Sequence, residues 1–159
     1  MTIQRRQLFK HNYVCGFVFS CFEGEENVLL IRKHNPPWQR GRFNGIGGKI
    51  ETGETPHTAM LREFVEETGA GAQYWAERAP IIFTHFCTLS KGWDWRVHFF
   101  RAFTRCSLFE IENYTRPLDE PCSVFPARRL PVACIGNLRW LIPMALDQAL
   151  RTPTEMIEQ

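Results

Sequence analysis

The sequence predicts an α/β domain in which helices pack on a mixed β-sheet. Three observations predict it: runs of β-branched and aromatic residues open the chain, one strongly amphipathic helical stretch follows, and further apolar runs lead into a closing helical stretch. A chain of 159 residues with 44% apolar content is long enough for one well-buried core and short for two. A single domain over residues 1–150 is therefore expected, with 151–159 as a fraying tail.

Residues 13–22 (YVCGFVFSCF) and 28–33 (VLLIRK) flank a polar break at 23–27 and read as two strands joined by a turn. Residues 34–42 (HNPPWQRGR) carry two prolines and a glycine and must be loop. The loop delivers the chain to FNGIGGKI at 43–50, an irregular, strand-like segment whose glycines Gly47 and Gly48 let backbone approach a ligand closely. A helix follows, with Thr55 as N-cap, Pro56 where a missing N–H costs least, and Gly69 as the stop. Residues 72–79 are ambiguous. Residues 81–88 read as a strand, Lys91-Gly92 as a turn, and 93–104 as its hairpin partner, with Trp93, Trp95, Val97, Phe99 and Phe103 on one side. Residues 106–121 form an acidic, proline-punctuated loop, residues 123–125 a short strand, and residues 136–150 a closing helix kinked at Pro143.

Composition excludes several classes. The net charge of +2 and the mixed character of the basic start RRQLFKH argue against a nucleic-acid partner. No run approaches a membrane span, and the start lacks a secretory signal. Six cysteines, at 15, 21, 87, 106, 122 and 134, show no CxxC pairing and no zinc spacing, which fits free thiols in a reducing cytosol. A cytoplasmic protein is expected.

The helix over the middle of the chain carries the chemistry. At 3.6 residues per turn Glu63, Glu66 and Glu67 share one face, and Met60, Leu61, Phe64 and Val65 are expected to form the opposite, core-facing one. Like charges at these spacings repel by a few tenths of a kcal/mol per pair, roughly, so a neutralising group is required. A hard divalent cation such as magnesium suits an all-oxygen donor set. A solvated, Glu-rich surface helix is the alternative for a bare EFVEE run.

The run is not bare. Residues 48–70 resemble the Nudix box, G-x5-E-x7-R-E-U-x-E-E-x-G-U with U bulky and apolar, at Gly48, Glu54, Arg62, Glu63, Phe64, Glu66, Glu67 and Gly69. Seven of these are invariant letters, so a chance match at a given start is roughly one in 10⁸. Phe64 is aromatic where an aliphatic is usual, and Ala70 is small where a bulky residue is usual. The resemblance implies an α/β/α sandwich around a mixed sheet and a Mg2+-dependent hydrolase, with Mn2+ as a substitute. It makes Glu63 and Glu67 metal ligands, Glu66 a ligand or water-orienting group, and the carbonyl of Gly47 a further donor. Arg62 would orient a glutamate by charge-assisted hydrogen bonds. Glu54 is either an outer hydrogen-bond acceptor or the tether between loop and helix. The base remains open among Glu66, Glu110, Glu112, Asp119 and Glu120, with Glu66 and a carboxylate of the 110–120 loop preferred.

The segment at 43–49 also looks like the aromatic-Asn-Gly-x-Gly-Gly-Lys stretch of Nudix enzymes that clear oxidised purine nucleoside triphosphates. Asn44 is the base-reading position by that resemblance, and an amide offers the donor and acceptor a purine edge needs; a turn-forming role is the alternative. The adjacent acidic pair of those enzymes is replaced by Asn137 and Leu138. Lys49 is expected either on a phosphate or in solvent, and Arg32, Arg40 and Arg42 either clamp an anionic tail or lie on the surface. Trp38, Trp93 and Trp95 are candidates to stack on a base or to join the core. The expected substrate is a nucleoside or deoxynucleoside triphosphate, split to monophosphate and pyrophosphate. Alternatives are ADP-ribose, a dinucleoside polyphosphate, an isoprenoid diphosphate isomerised rather than cleaved, or a non-catalytic nucleotide sensor. A small-molecule nucleotide is thus the expected partner, and a homodimer stays open.

Overall fold

The computed structural model describes residues 9–69 and 81–158. Strands β1 (His11–Phe22) and β2 (Glu25–Arg32) pair antiparallel through Val18 and Leu29, as the first two apolar runs predict. Their centres are buried on both faces, which is why they read as continuous apolar runs rather than alternating ones. The 34–42 loop holds one 3-10 turn, Pro37–Gln39. Strands β3 (Phe43–Asn44) and β4 (Ile46–Lys49) pair with β2 and β1 respectively.

Helix α1 (Pro56–Thr68) starts and stops where the sequence indicates. The Thr55 side chain accepts from Thr58 N, the Thr58 hydroxyl answers Thr55 N, and Gly69 ends the helix at φ 80°. After α1, the ambiguous 72–79 stretch lies outside the described residues. Strands β5 (Thr84–Lys91) and β6 (Trp95–Thr104) form the expected hairpin, although β5 begins three residues later than expected and Trp93 lies in its turn.

Two expectations fail. The 106–121 loop contains helix α2 (Leu108–Thr115), because Leu108, Ile111 and Thr115 recur at i, i+3 and i+7 and are buried as one stripe. Strand β7 (Cys122–Pro126) follows and pairs with β2. Helix α3 (Leu138–Leu146) closes the core with Pro143 inside it. Residues expected to fray then form strand β8 (Thr154–Glu158), which pairs in parallel with β5 and offers its half-buried Thr154 and Met156 inward.

The sheet runs β3-β2-β1-β6-β5-β8, with β4 on β1 and β7 on β2. It is mixed, since β1–β6 and β5–β8 are parallel and the remaining pairs antiparallel. Alternate β1 residues feed two cores. Val14 and Val18 meet Met60, Phe64, Leu108 and Ile111 of α1 and α2; Cys15, Phe17 and Phe19 join Leu138, Leu141 and Ile142 of α3. The result is the α/β/α sandwich the resemblance implies. No helix among the described residues is long and apolar enough to cross a membrane.

Candidate active site

Helix α1 does not divide into a core face and a charged face as the sequence suggests. Ala59, Met60, Phe64 and Thr68 are buried, whereas Leu61 is 39% and Val65 50% exposed. The buried stripe is centred on Met60, Phe64 and Thr68, and Glu63 and Glu67 flank it at 13% and 14% side-chain exposure. Glu66, at 59%, points to solvent. Two glutamates therefore share the buried side of the helix, and the third does not join them. Among the described residues no three acidic, histidine or cysteine side chains converge closely enough to hold an ion.

Half-buried carboxylates need partners, and two cations supply them. The Arg62 guanidinium donates to Glu54 Oε1 at 2.7 Å and Oε2 at 2.9 Å, to Glu63 Oε1 at 2.9 Å, to Glu66 Oε2 at 3.2 Å and to the Lys49 carbonyl at 2.9 Å. Arg62 thus ties Glu54, Glu63 and Glu66 together by charge-assisted hydrogen bonds. Glu54 also accepts from Glu51 N at 2.9 Å, so it ties the loop before α1 to the helix. The guanidinium holds the Glu54 carboxyl down at about 2.

Lys33, which sequence reading passed over, donates to Glu67 Oε1 at 3.1 Å and to Glu120 Oε2 at 2.7 Å. Burial pulls its pKa down, and the two carboxylates outweigh that and raise it. Glu120 accepts besides from the N–H groups of His34 and Asn35 at 2.7 and 3.1 Å. These bonds overcome its own burial and lower its pKa. Glu67 Oε2 takes the Gly47 N–H at 2.9 Å, yet burial still pushes its carboxyl up to about 7.

The glycines of β4 serve packing as much as ligand approach. A Cβ on Gly47 would collide with the Val14 carbonyl of β1, and one on Gly48 with the Glu63 carboxylate. Glycine at 48 is what lets Glu63 reach the sheet.

On the α3 side of the sheet lies a cleft of about 1030 Å³. Lys33, Gly47 and Gly48 line one end, so the two groups that hold Glu67 are also cleft walls. Asn44 lines it too: its Oδ1 accepts from Gly45 N at 2.8 Å and its Nδ2 donates to Gln39 at 3.1 Å. Asn137 lines it as well, and its Oδ1 is buried with no hydrogen-bond partner among the described residues. Trp38, Trp95 and Trp140 also line the cleft, whereas Trp93 packs on Phe9 outside it. Lys49 is exposed, and Glu110 and Asp119 lie on the surface. Neither Lys33 nor Trp140 carried a motif; only the placement of Lys33 at the end of a buried strand hints at a cation held inside.

An oxygen-only pair one helical turn apart suits a hard divalent ion, which takes one or two protein carboxylates and completes its shell from substrate oxygens and water. An ADP-ribose pyrophosphatase of Methanocaldococcus jannaschii is 37% identical over 67 residues, covering 42% of this chain and 38% of that protein. One of Bacillus subtilis is 32% identical over 116 residues, 73% of this chain and 57% of that protein. The chain thus spans well under two thirds of either relative. A NUDIX hydrolase from Nitrosomonas europaea superposes at TM-score 0.58 and 17% identity over 94% of this chain and 80% of that one, a likeness of fold. The NUDIX domain model matches residues 11–139, from the start of β1 into α3, and takes in the β4–α1 box whose bonds are described above: the chain belongs to the NUDIX domain family.

Proposed function

We propose that the chain is a magnesium-dependent hydrolase of nucleoside diphosphate-linked compounds, acting on a nucleoside or deoxynucleoside triphosphate to give the monophosphate and pyrophosphate. The observation that carries this reading is the Glu63–Glu67 pair behind β4, whose Gly47 and Gly48 line a cleft that also holds the Asn44 amide. Glu63 and Glu67 are the residues to hold the ion, with the Gly47 carbonyl as a further donor and Mn2+ as a substitute, and Glu66, which points to solvent, is left for the water. When bound, the ion neutralises phosphate charge and makes a water more acidic.

Everything else falls to the chain. Arg62 fixes Glu63 against β4 and keeps Glu54 ionised. Lys33 places a positive charge where the phosphates end, as a point charge that moves with its flexible stem. Asn44 is held by Gly45 and Gln39 and its amide lines the cleft, where it offers a polar contact to a base. Glu120 is committed to Lys33 and two backbone N–H groups, which favours the exposed Glu66 over the 110–120 carboxylates as the base that takes the proton from the attacking water. Water oxygen bonds to phosphorus, the phosphoanhydride bond breaks, and pyrophosphate leaves.

A second reading, ADP-ribose as substrate, is favoured by the name of the two curated relatives. One experiment separates the two. Product release is measured with magnesium on nucleoside triphosphates, ADP-ribose and dinucleoside polyphosphates, for the wild type and Glu67→Gln. The expected result is fastest turnover of a triphosphate and a loss of about 10²–10⁴-fold in the variant. Fastest turnover of ADP-ribose favours the second reading, and equal rates in both proteins remove the role of Glu67. Tight nucleotide binding with no turnover on any compound points to a sensor.

A further inference from the structure

Along β5, β6 and β8 the cleft is lined largely by apolar residues, with Glu158, ion-paired to Lys91 at 3.5 Å, among them. Strand β8 extends the sheet beyond β5 with Met156 opposite Leu89, and Met156 lines the cleft on the same face as Leu89, Val97 and Trp95. Met156 packs into the α3-side core, whereas Ile157 stays 74% exposed. The wall is built rather than incidental. The Arg101 guanidinium of β6 donates to the carbonyls of Ala145 at 3.0 Å, Asp147 at 2.8 Å and Leu150 at 2.8 Å, pinning the turn that leads from α3 into β8.

The cleft, at about 1030 Å³, stands at the upper end of ligand pockets, roughly 300–1,000 Å³. Resting on the reading above, phosphates belong beside Lys33 and Gly47, and the base belongs at Asn44. Whatever projects from the base toward β5, β6 and β8 meets apolar side chains. Exposed apolar surface in a concave site favours an apolar occupant by roughly 25 cal/mol per Å² covered.

We propose that β8 forms an apolar specificity subsite, built on Met156 with Leu89, Trp95 and Val97, that takes an alkyl or aromatic group carried on the exocyclic edge of the nucleobase. The substrate class is therefore a nucleotide with an apolar-substituted base. Unsubstituted nucleotides leave the subsite wet and bind more weakly.

Two measurements test this. The first is binding, without hydrolysis, of adenosine and of adenosine bearing a benzyl group on its exocyclic amine, followed by quenching of tryptophan fluorescence. The second is kcat/KM for the two corresponding triphosphates with magnesium. Both are made on the full chain, on Met156→Ser and on a chain ending at Arg151. The full chain is expected to bind the benzyl nucleoside about tenfold tighter and to show the same preference in KM with little change in kcat. Both variants are expected to lose the preference while hydrolysing the unsubstituted triphosphate at the parental rate. That retained rate shows that the fold survives, and for a variant that does not fold the comparison rests on the other. If no triphosphate is hydrolysed but the benzyl preference persists and depends on Met156, the hydrolase reading falls and the subsite stands. Equal binding of the two nucleosides by the full chain, or a preference that survives in Met156→Ser, overturns the subsite.

Discussion

At Glu67 the desolvation of a carboxylate only 14% exposed outweighs a lysine ammonium 3.1 Å away, so the proton is lost at about pH 7 rather than near 4.5. Between those values the folded chain binds more protons than the unfolded one. This contribution to stability is complete below the unfolded pKa and is lost as pH rises toward 7. In the absence of metal, Glu67→Gln removes the slope. The free energy of urea unfolding of the variant, minus that of the wild type, is expected to grow from pH 4.5 to pH 8 by at most about 3 kcal/mol. A pH-independent difference would show that Lys33 keeps Glu67 ionised throughout. The seven invariant letters of the box made Glu67 visible in the sequence. Lys33 was not visible, because its partner Glu120 lies 87 positions away and no local pattern joins them.

Helix α1 and strand β4 show how much of an element a linear pattern conveys. The caps at Thr55 and Gly69 were legible because capping is a property of neighbouring residues. Which side of the helix faces the core was misjudged, because apolar Leu61 and Val65 were counted as core while the stripe through Met60, Phe64 and Thr68 carried the two half-buried glutamates with it. Helix α2 was missed for a related reason, its three buried positions being scattered among acidic and aromatic residues. On β4 two adjacent glycines have different duties, and alanine at each separates them. Gly47→Ala drives a Cβ into the Val14 carbonyl and is expected to lower the melting temperature by about 10 °C as β4 leaves β1. Gly48→Ala drives it into the Glu63 carboxylate, a side chain that can swing away. Melting should change by only about 2–3 °C, while magnesium-dependent turnover falls by about tenfold or more. Thermal scanning and a turnover assay on both variants check the pair, and matching profiles for the two would refute the distinction.

On the scale of the whole molecule the α/β/α order was legible, because runs of strand residues around an amphipathic helix have few layered solutions. The long-range pairings were not. Strand β1 lies parallel to β6, with His11 beside Trp95, and β8 lies parallel to β5; parallel neighbours are joined through intervening chain rather than a tight turn, so no local signal announces them. Strand β8 also had little apolar content to advertise it, and its place depends on a residue far away in the chain. Arg101 grips three carbonyls between the end of α3 and Leu150 with a rigid planar fork, and a flexible ammonium cannot reproduce that fork. If those bonds place β8, Arg101→Lys and Arg101→Met should both speed amide hydrogen exchange at residues 154–158 by about tenfold, equivalent to losing one or two net hydrogen bonds of local stability. Exchange in β1 and β2, whose centres are buried on both faces, should stay slow in both variants. Unchanged exchange at 154–158 in Arg101→Met would mean that the pairing with β5 and the inward packing of Met156 hold the strand by themselves.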